Sequence, residues 1–143
     1  MHIRKIQETD LKDLAELYKV LSDEPCDYEE MKRKFHLIDG NQDYHLLGAE
    51  IDGKIVGTLM AIVCHDLVSG YKAFMTVENV ATSEEYRGMG IGKALFGEAE
   101  RIAREHECSY IYLVSGPTRV LAHKMYAKLG YNEEGALGFR KQL

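Results

Sequence analysis

The chain has 143 residues, 45% of them apolar and 29% charged, with a formal net charge of −5. That length suits one domain, residues 1–143, around one core. The apolar share argues against a disordered chain, and the acidic balance argues against a general nucleic-acid binder, which relies on a basic face. No stretch approaches the roughly 20 apolar residues of a membrane span, and MHIRKIQETD lacks the apolar run of a signal peptide. Cys26, Cys64 and Cys108 match no zinc spacing. A cytoplasmic protein with reduced thiols and no bound metal is expected.

In chain order, HIRKI reads as a short strand. Thr9 or Asp10 caps a helix with Leu11, Leu14, Leu17, Tyr18 and Leu21 on its apolar side, ended by Pro25. Tyr28 to Leu37 gives a second, shorter helix. YHLLGAEI and KIVGTLMAIVC are strands joined by Asp52-Gly53, a strong two-residue hairpin signal. KAFMTVENVAT is a third long strand. A helix then carries Ile91, Leu95, Ala99, Ile102 and Ala103 on one side, and YIYLVS is a buried-looking strand. Past the Gly116-Pro117 turn, a last helix aligns Leu121, Met125 and Leu129, with Gly130 as its stop. GFRKQL suits a final strand. The middle strands are hairpin-linked and so antiparallel, whereas the step from Thr76 to Val114 has a helical crossover and should be parallel. The expected fold is a mixed α/β arrangement with helices on both faces of the sheet.

Between the third long strand and its crossover helix lies YRGMGIGKAL. A helix N-terminus offers unpaired N–H groups and partial positive charge. Glycines let an anion approach without Cβ atoms in the way, and Arg87 adds a permanent cation. A phosphate or pyrophosphate ligand follows. A P-loop does not fit: Gly88 to Lys93 is one residue short, and Ala94 stands where a magnesium-binding hydroxyl belongs. A dinucleotide G-x-G-x-x-G fails too, with Lys93 or Leu95 in the third glycine place.

R-x-x-G-x-G does fit, as Arg87, Gly90 and Gly92. Here VENVATSEEYRGMGIGKALFGEAERIA resembles the central strand, pyrophosphate loop and helix of the GNAT family of acyl-CoA-dependent N-acetyltransferases. LAHKMYAKLGY resembles that family's second signature. The resemblance implies a GNAT fold, with a mostly antiparallel sheet and one splayed parallel strand pair. It implies acetyl-CoA as cofactor and acetyl transfer to a primary amine by direct attack in a ternary complex. The N–H groups of Arg87, Gly88, Met89, Gly90, Ile91, Gly92 and Lys93 would hold the pyrophosphate. The strand edge at Val80, Ala81 and Thr82 would pair with the pantetheine arm, and a free N–H near Val80 would meet the developing oxyanion.

Tyr126 matches the family's proton-donating tyrosine; the competing role is packing beside Met125. Glu78 shares a strand face with Phe74, Thr76 and Val80, where burial would raise its pKa and strengthen it as a base. It equally suits an ion pair with a neighbouring strand. His123 and water are the other bases considered. Ser115 ends a strand near the cofactor's path, without the turn a nucleophile needs.

The acceptor is a small-molecule or peptide amine. Asp23, Glu24, Asp27, Glu29 and Glu30 either attract a cationic amine or form a solvated helix start capped by Asp27. ENVATSEEYRGMGIGKAL and HECSYIYLVSG are also similar to the glucosamine-phosphate acetyltransferase branch, which implies an anion-binding acceptor site instead. Where many relatives carry an asparagine before the last helix, Thr118-Arg119 stands here, and Arg119 is a candidate for a phosphate of cofactor or acceptor. A catalytically silent CoA-binding sensor is the alternative activity class, and a nucleotide-binding protein a third. Family members are often dimers, and Leu137 and Phe139 are compatible with an interface if exposed.

Overall fold

A computed structural model describes residues 1–22, 24–68, 70–132, 138 and 140–142. Five strands lie in spatial order 1-2-3-4-5: β1 (His2–Lys5), β2 (Tyr44–Ile51), β3 (Lys54–Cys64), β4 (Phe74–Thr82) and β5 (Ile111–Leu113). The β1–β4 pairs are antiparallel and β4–β5 is parallel. The hairpin between β2 and β3 turns at Asp52 (φ 51°) and Gly53 (φ 77°). Two consecutive positive φ angles match the right-handed strand twist, which the Asp-Gly pair permits.

Helices α1 (Leu11–Tyr18) and α2 (Tyr28–Asp39) cover one face; α3 (Ile91–Glu105) and α4 (Val120–Lys128) cover the other. Strand alternation feeds both cores. On the α1–α2 side, Leu46 and Ile55 join Ile6, Leu11, Leu14, Leu17 and Phe35. Their sequence neighbours Leu47 and Val56 point the other way, onto Ile91, Leu95, Phe96, Ala99 and Ile102. At the start of α1 the Arg4 guanidinium grips both carboxylate oxygens of Asp10 at 2.6 and 3.0 Å and also bonds Glu50, tying β1, β2 and the helix together. Asp27 caps α2 by accepting the Glu30 N–H at 3.1 Å.

The expected mixed sheet, with one parallel pair and helices on both faces, is present. Four details differ. α1 ends at Tyr18 rather than at Pro25, so Leu21 sits in the following turn, its N–H on the Tyr18 carbonyl. β5 is only three residues long and is the edge strand among the described residues, leaving Tyr112 and Val114 exposed rather than buried. On α4 the inward face is Ala122, Met125, Tyr126 and Leu129, and Leu121 is 74% exposed. A row of every fourth residue drifts about 40° per step around a helix, which carries Leu121 out of the stripe. Of the expected last strand, residues 138 and 140–142 form none, and Phe139 and Leu143 lie outside the described residues, as does Leu137. Gly130 does stop α4: its φ is 89°, and the Tyr131 N–H returns to the Tyr126 carbonyl at 3.0 Å.

Candidate active site

β4 changes character halfway along. Met75, Thr76 and Val77 pair with Ile111, Tyr112 and Leu113, and the parallel register stops there. On the β3 side, Thr58 pairs with Ala81 and Met60 with Glu78, so Leu59 alone faces Asn79 and Val80. This two-against-one count is a β-bulge, and Asn79 takes φ 54° to make it. The bulged strand parts from β5 and leaves a cleft.

That cleft is a cavity of about 310 Å³. Its walls are Val77 to Val80 from β4 and Leu113 with Val114 from the β5 side. Tyr126 enters from α4, Arg119 from just before it, Leu21 from the turn after α1, and Arg140 from the C-terminal segment. Tyr126 is 6% exposed, its ring edge-on to Phe96 at 5.5 Å. Burial pushes its phenol pKa up, and the nearby Arg119 cation opposes that in part. Arg119 donates from Nη2 to the Val80 carbonyl at 3.1 Å, across the cleft at the bulge.

The turn into α3 presents a run of free backbone donors. Gly88 (φ 81°) and Gly90 (φ 80°) adopt left-handed conformations, and a Cβ on either would meet nothing within 4 Å. The N–H groups from Gly88 to Lys93 have no backbone carbonyl partner among the described residues; pairing resumes with Ala94 on the Gly90 carbonyl. The positive end of a 15-residue helix helix-dipole adds to those donors. Arg87 lies beside this turn, paired to Glu84 at 3.0 Å on the surface. Gly92 has a second reason to be glycine: a Cβ there would stand 2.3 Å from Met125 Sδ, so its absence lets α4 close onto α3. Ile91 is buried beneath the sheet and contributes only main chain to the turn.

Residues 9–131 match the acetyltransferase (GNAT) family pattern. The chain belongs to the GNAT family. Among curated GNAT relatives, the rat (Rattus norvegicus) N-acetyltransferase 8 is 33% identical over 61% of this chain and 39% of its own length. The glucosamine 6-phosphate N-acetyltransferase of Trypanosoma brucei brucei is 25% identical over 92% of this chain and 88% of its own. Against the first relatives the chain spans about half their length or less, 39% and 53%. A solved structure from Agrobacterium tumefaciens str. C58 superposes with TM-score 0.92 at 26% identity, covering 100% of both chains.

Within this GNAT fold, Glu78 and Tyr126 both line the cavity. Glu78 is nevertheless exposed, not buried on an apolar face as expected. Strand alternation put it on the covered side, but the bulge at Asn79 and the end of β5 pairing open that stretch to solvent. His123 does not line the cavity; its Nε2 meets Ser115 Oγ at 3.1 Å. The acidic segment does not reach the cavity among its described residues: Glu30 pairs with Arg33 and Lys34, and Asp23 lies outside them. No group of three or more His, Cys, Asp or Glu suited to a metal occurs among the described residues.

Sequence reasoning missed Tyr18. Burial pushes its phenol pKa up to about 12, opposed in part by the neighbouring Thr58 and Asn79 side chains. Thr58 is itself fully buried and donates to the Leu47 carbonyl at 2.8 Å. α1 thus brings a buried phenol up to the bulge from behind the cleft. A tyrosine on the apolar side of α1, whose hydroxyl needs a partner once buried, was the available signal.

Proposed function

We propose that this chain is an acetyl-CoA-dependent N-acetyltransferase acting on a primary amine by direct attack. The observation that carries the reading is the run of unpartnered N–H groups from Gly88 to Lys93 at the end of a strand that splays open past Val77. These residues fit the cofactor: two glycines leave room where Cβ atoms would crowd a diphosphate, and the helix dipole favours its charge. Arg87, Gly88, Met89, Gly90, Ile91, Gly92 and Lys93 would hold that diphosphate, and the main chain at Val80, Ala81 and Thr82 would take the extended arm as a strand takes a partner. Bound acetyl-CoA supplies an activated acyl group on a thioester.

The chain's own residues supply the rest. Tyr126 Oη, kept protonated by burial, gives its proton to the leaving sulfur. The Glu78 carboxylate, in water at the cleft mouth, takes the amine proton directly or through a water molecule. Main chain at the bulge, shaped by the positive φ of Asn79, would direct an N–H toward the carbonyl oxygen. Three free cysteines support a reducing, cytoplasmic setting as part of the same reading.

The test is thiol release from acetyl-CoA across a panel of amines, with CoA affinity measured in parallel. Amine-dependent release is expected. Tight CoA binding with no release from any amine would make the chain a sensor, and stabilisation by ATP or NAD above that by CoA would remove the cofactor assignment.

A further inference from the structure

Seven arginines occur in the sequence. Arg4, Arg33, Arg87, Arg101 and Arg104 each have a carboxylate partner. Arg119 and Arg140 have none among the described residues, and both line the cleft cavity together with Glu78. Two guanidiniums against one carboxylate give that cavity a formal charge of +2 − 1 = +1, in a chain of net −5.

We propose that the acceptor is an amine that also carries an anionic group, a carboxylate or a phosphate monoester, with Arg119 and Arg140 binding the anion and Glu78 facing the ammonium. This deepens the transferase reading and rests on it. A guanidinium presents a planar fork that matches carboxylate and phosphate oxygens two at a time. Arg119 is also fixed in direction, because one of its nitrogens donates to the Val80 carbonyl beside the bulge. That bond sets it where acyl transfer is proposed rather than at the Gly88–Lys93 turn, where helix N–H groups would meet the diphosphate. A cavity of about 310 Å³ lies at the small end of ligand pockets. The acyl arm proposed above shares it, so the acceptor that fits beside that arm is compact.

The experiment compares matched acceptors by thiol release: amino acids against their amides, and amino sugar phosphates such as glucosamine 6-phosphate against the parent sugars. The best anionic acceptor is expected to exceed its neutral partner at least about tenfold in kcat/KM, and which of the two sets responds identifies the anion. Arg140→Gln, which breaks no hydrogen bond or ion pair among the described residues, is expected to raise the acceptor KM about tenfold while acetyl-CoA KM stays within about twofold. Arg119→Gln should do the same at a melting temperature measured alongside, and Arg140→Lys should recover part of the loss. Neutral partners turned over equally well, or discrimination surviving in both glutamine variants, overturns the proposal. If no amine is turned over although CoA binds, the transferase reading fails by itself. Anion recognition is then read by calorimetric titration of the same pairs into the CoA-loaded protein: preference for the anionic member sustains it, and equal heats overturn it.

Discussion

Tyr126 is positioned by rings rather than by hydrogen bonds. Phe96 and Tyr131 meet it edge-on, and Gly92 makes room for Met125 on the preceding position of the helix. Tyr126→Phe therefore keeps the packing and removes only the proton. It should lower kcat by about 10²–10⁴-fold with acetyl-CoA KM nearly unchanged, the size expected for a positioned acid; a variant as active as the parent would leave the phenol without a chemical role. Arg119 makes ionisation of this phenol easier. Arg119→Gln should accordingly shift the alkaline limb of the kcat profile to higher pH. The glycine turn before α3 was legible in the sequence from its spacing, whereas Tyr126 was singled out through the resemblance of LAHKMYAKLGY to the GNAT signature. The exposure of Glu78 and the reach of Tyr18 were not, because each depends on where β5 stops pairing and on which side of the sheet α1 lands.

Among the elements, the junction of β3 and α3 sets how the Gly88–Lys93 turn sits. A Cβ on Gly57 would come 2.5 Å from Ile91 Cγ2, on the first residue of α3. Gly57→Ala should destabilise the fold by about 1–3 kcal/mol through overpacking, read as a lower denaturant midpoint. Gly90→Val behaves differently. Open space surrounds Gly90, so the cost to the fold is the strain of a β-branched residue at φ 80°, about 1–3 kcal/mol. CoA affinity should fall far more, since the new side chain stands over the unpaired N–H groups; unchanged affinity would move the diphosphate elsewhere. The β2–β3 turn was readable to the residue because Asp52-Gly53 closes it, whereas the register beyond was not, since Glu50 pairs with Ile55 but Ala49 with Gly57 across a bulge. β5 was overestimated because YIYLVS has strand composition, whereas pairing partners decide how much of it becomes strand.

For the molecule as a whole, buried phenols set an upper pH limit on stability. Tyr18 and Tyr131 have folded-state pKa values pushed up by burial to about 12, and Tyr126 is raised as well. Phenols are neutral in both states below the unfolded value near ~10, so their packing contributes fully there. As pH climbs from about 10 towards 12, the unfolded chain ionises first and stability falls, by up to about 3 kcal/mol for Tyr18. Tyr18→Phe should flatten part of that decline in denaturation measured between pH 9 and 11. The general architecture was recoverable from chain order because a helical crossover and a tight hairpin leave few topologies.

β4 and β5 are joined by three residue pairs, Met75–Ile111, Thr76–Tyr112 and Val77–Leu113, and then part. The sheet is consequently stitched at one end and unfastened at the other. With so few pairs, β5 should open at lower cost than β1–β3, and its amides and those of α4 should exchange with deuterium sooner. A ligand lying in the gap bridges both sides and should slow exchange in 111–113 and 120–128 more than in the antiparallel strands. Uniform slowing would mean that binding does not act across this seam.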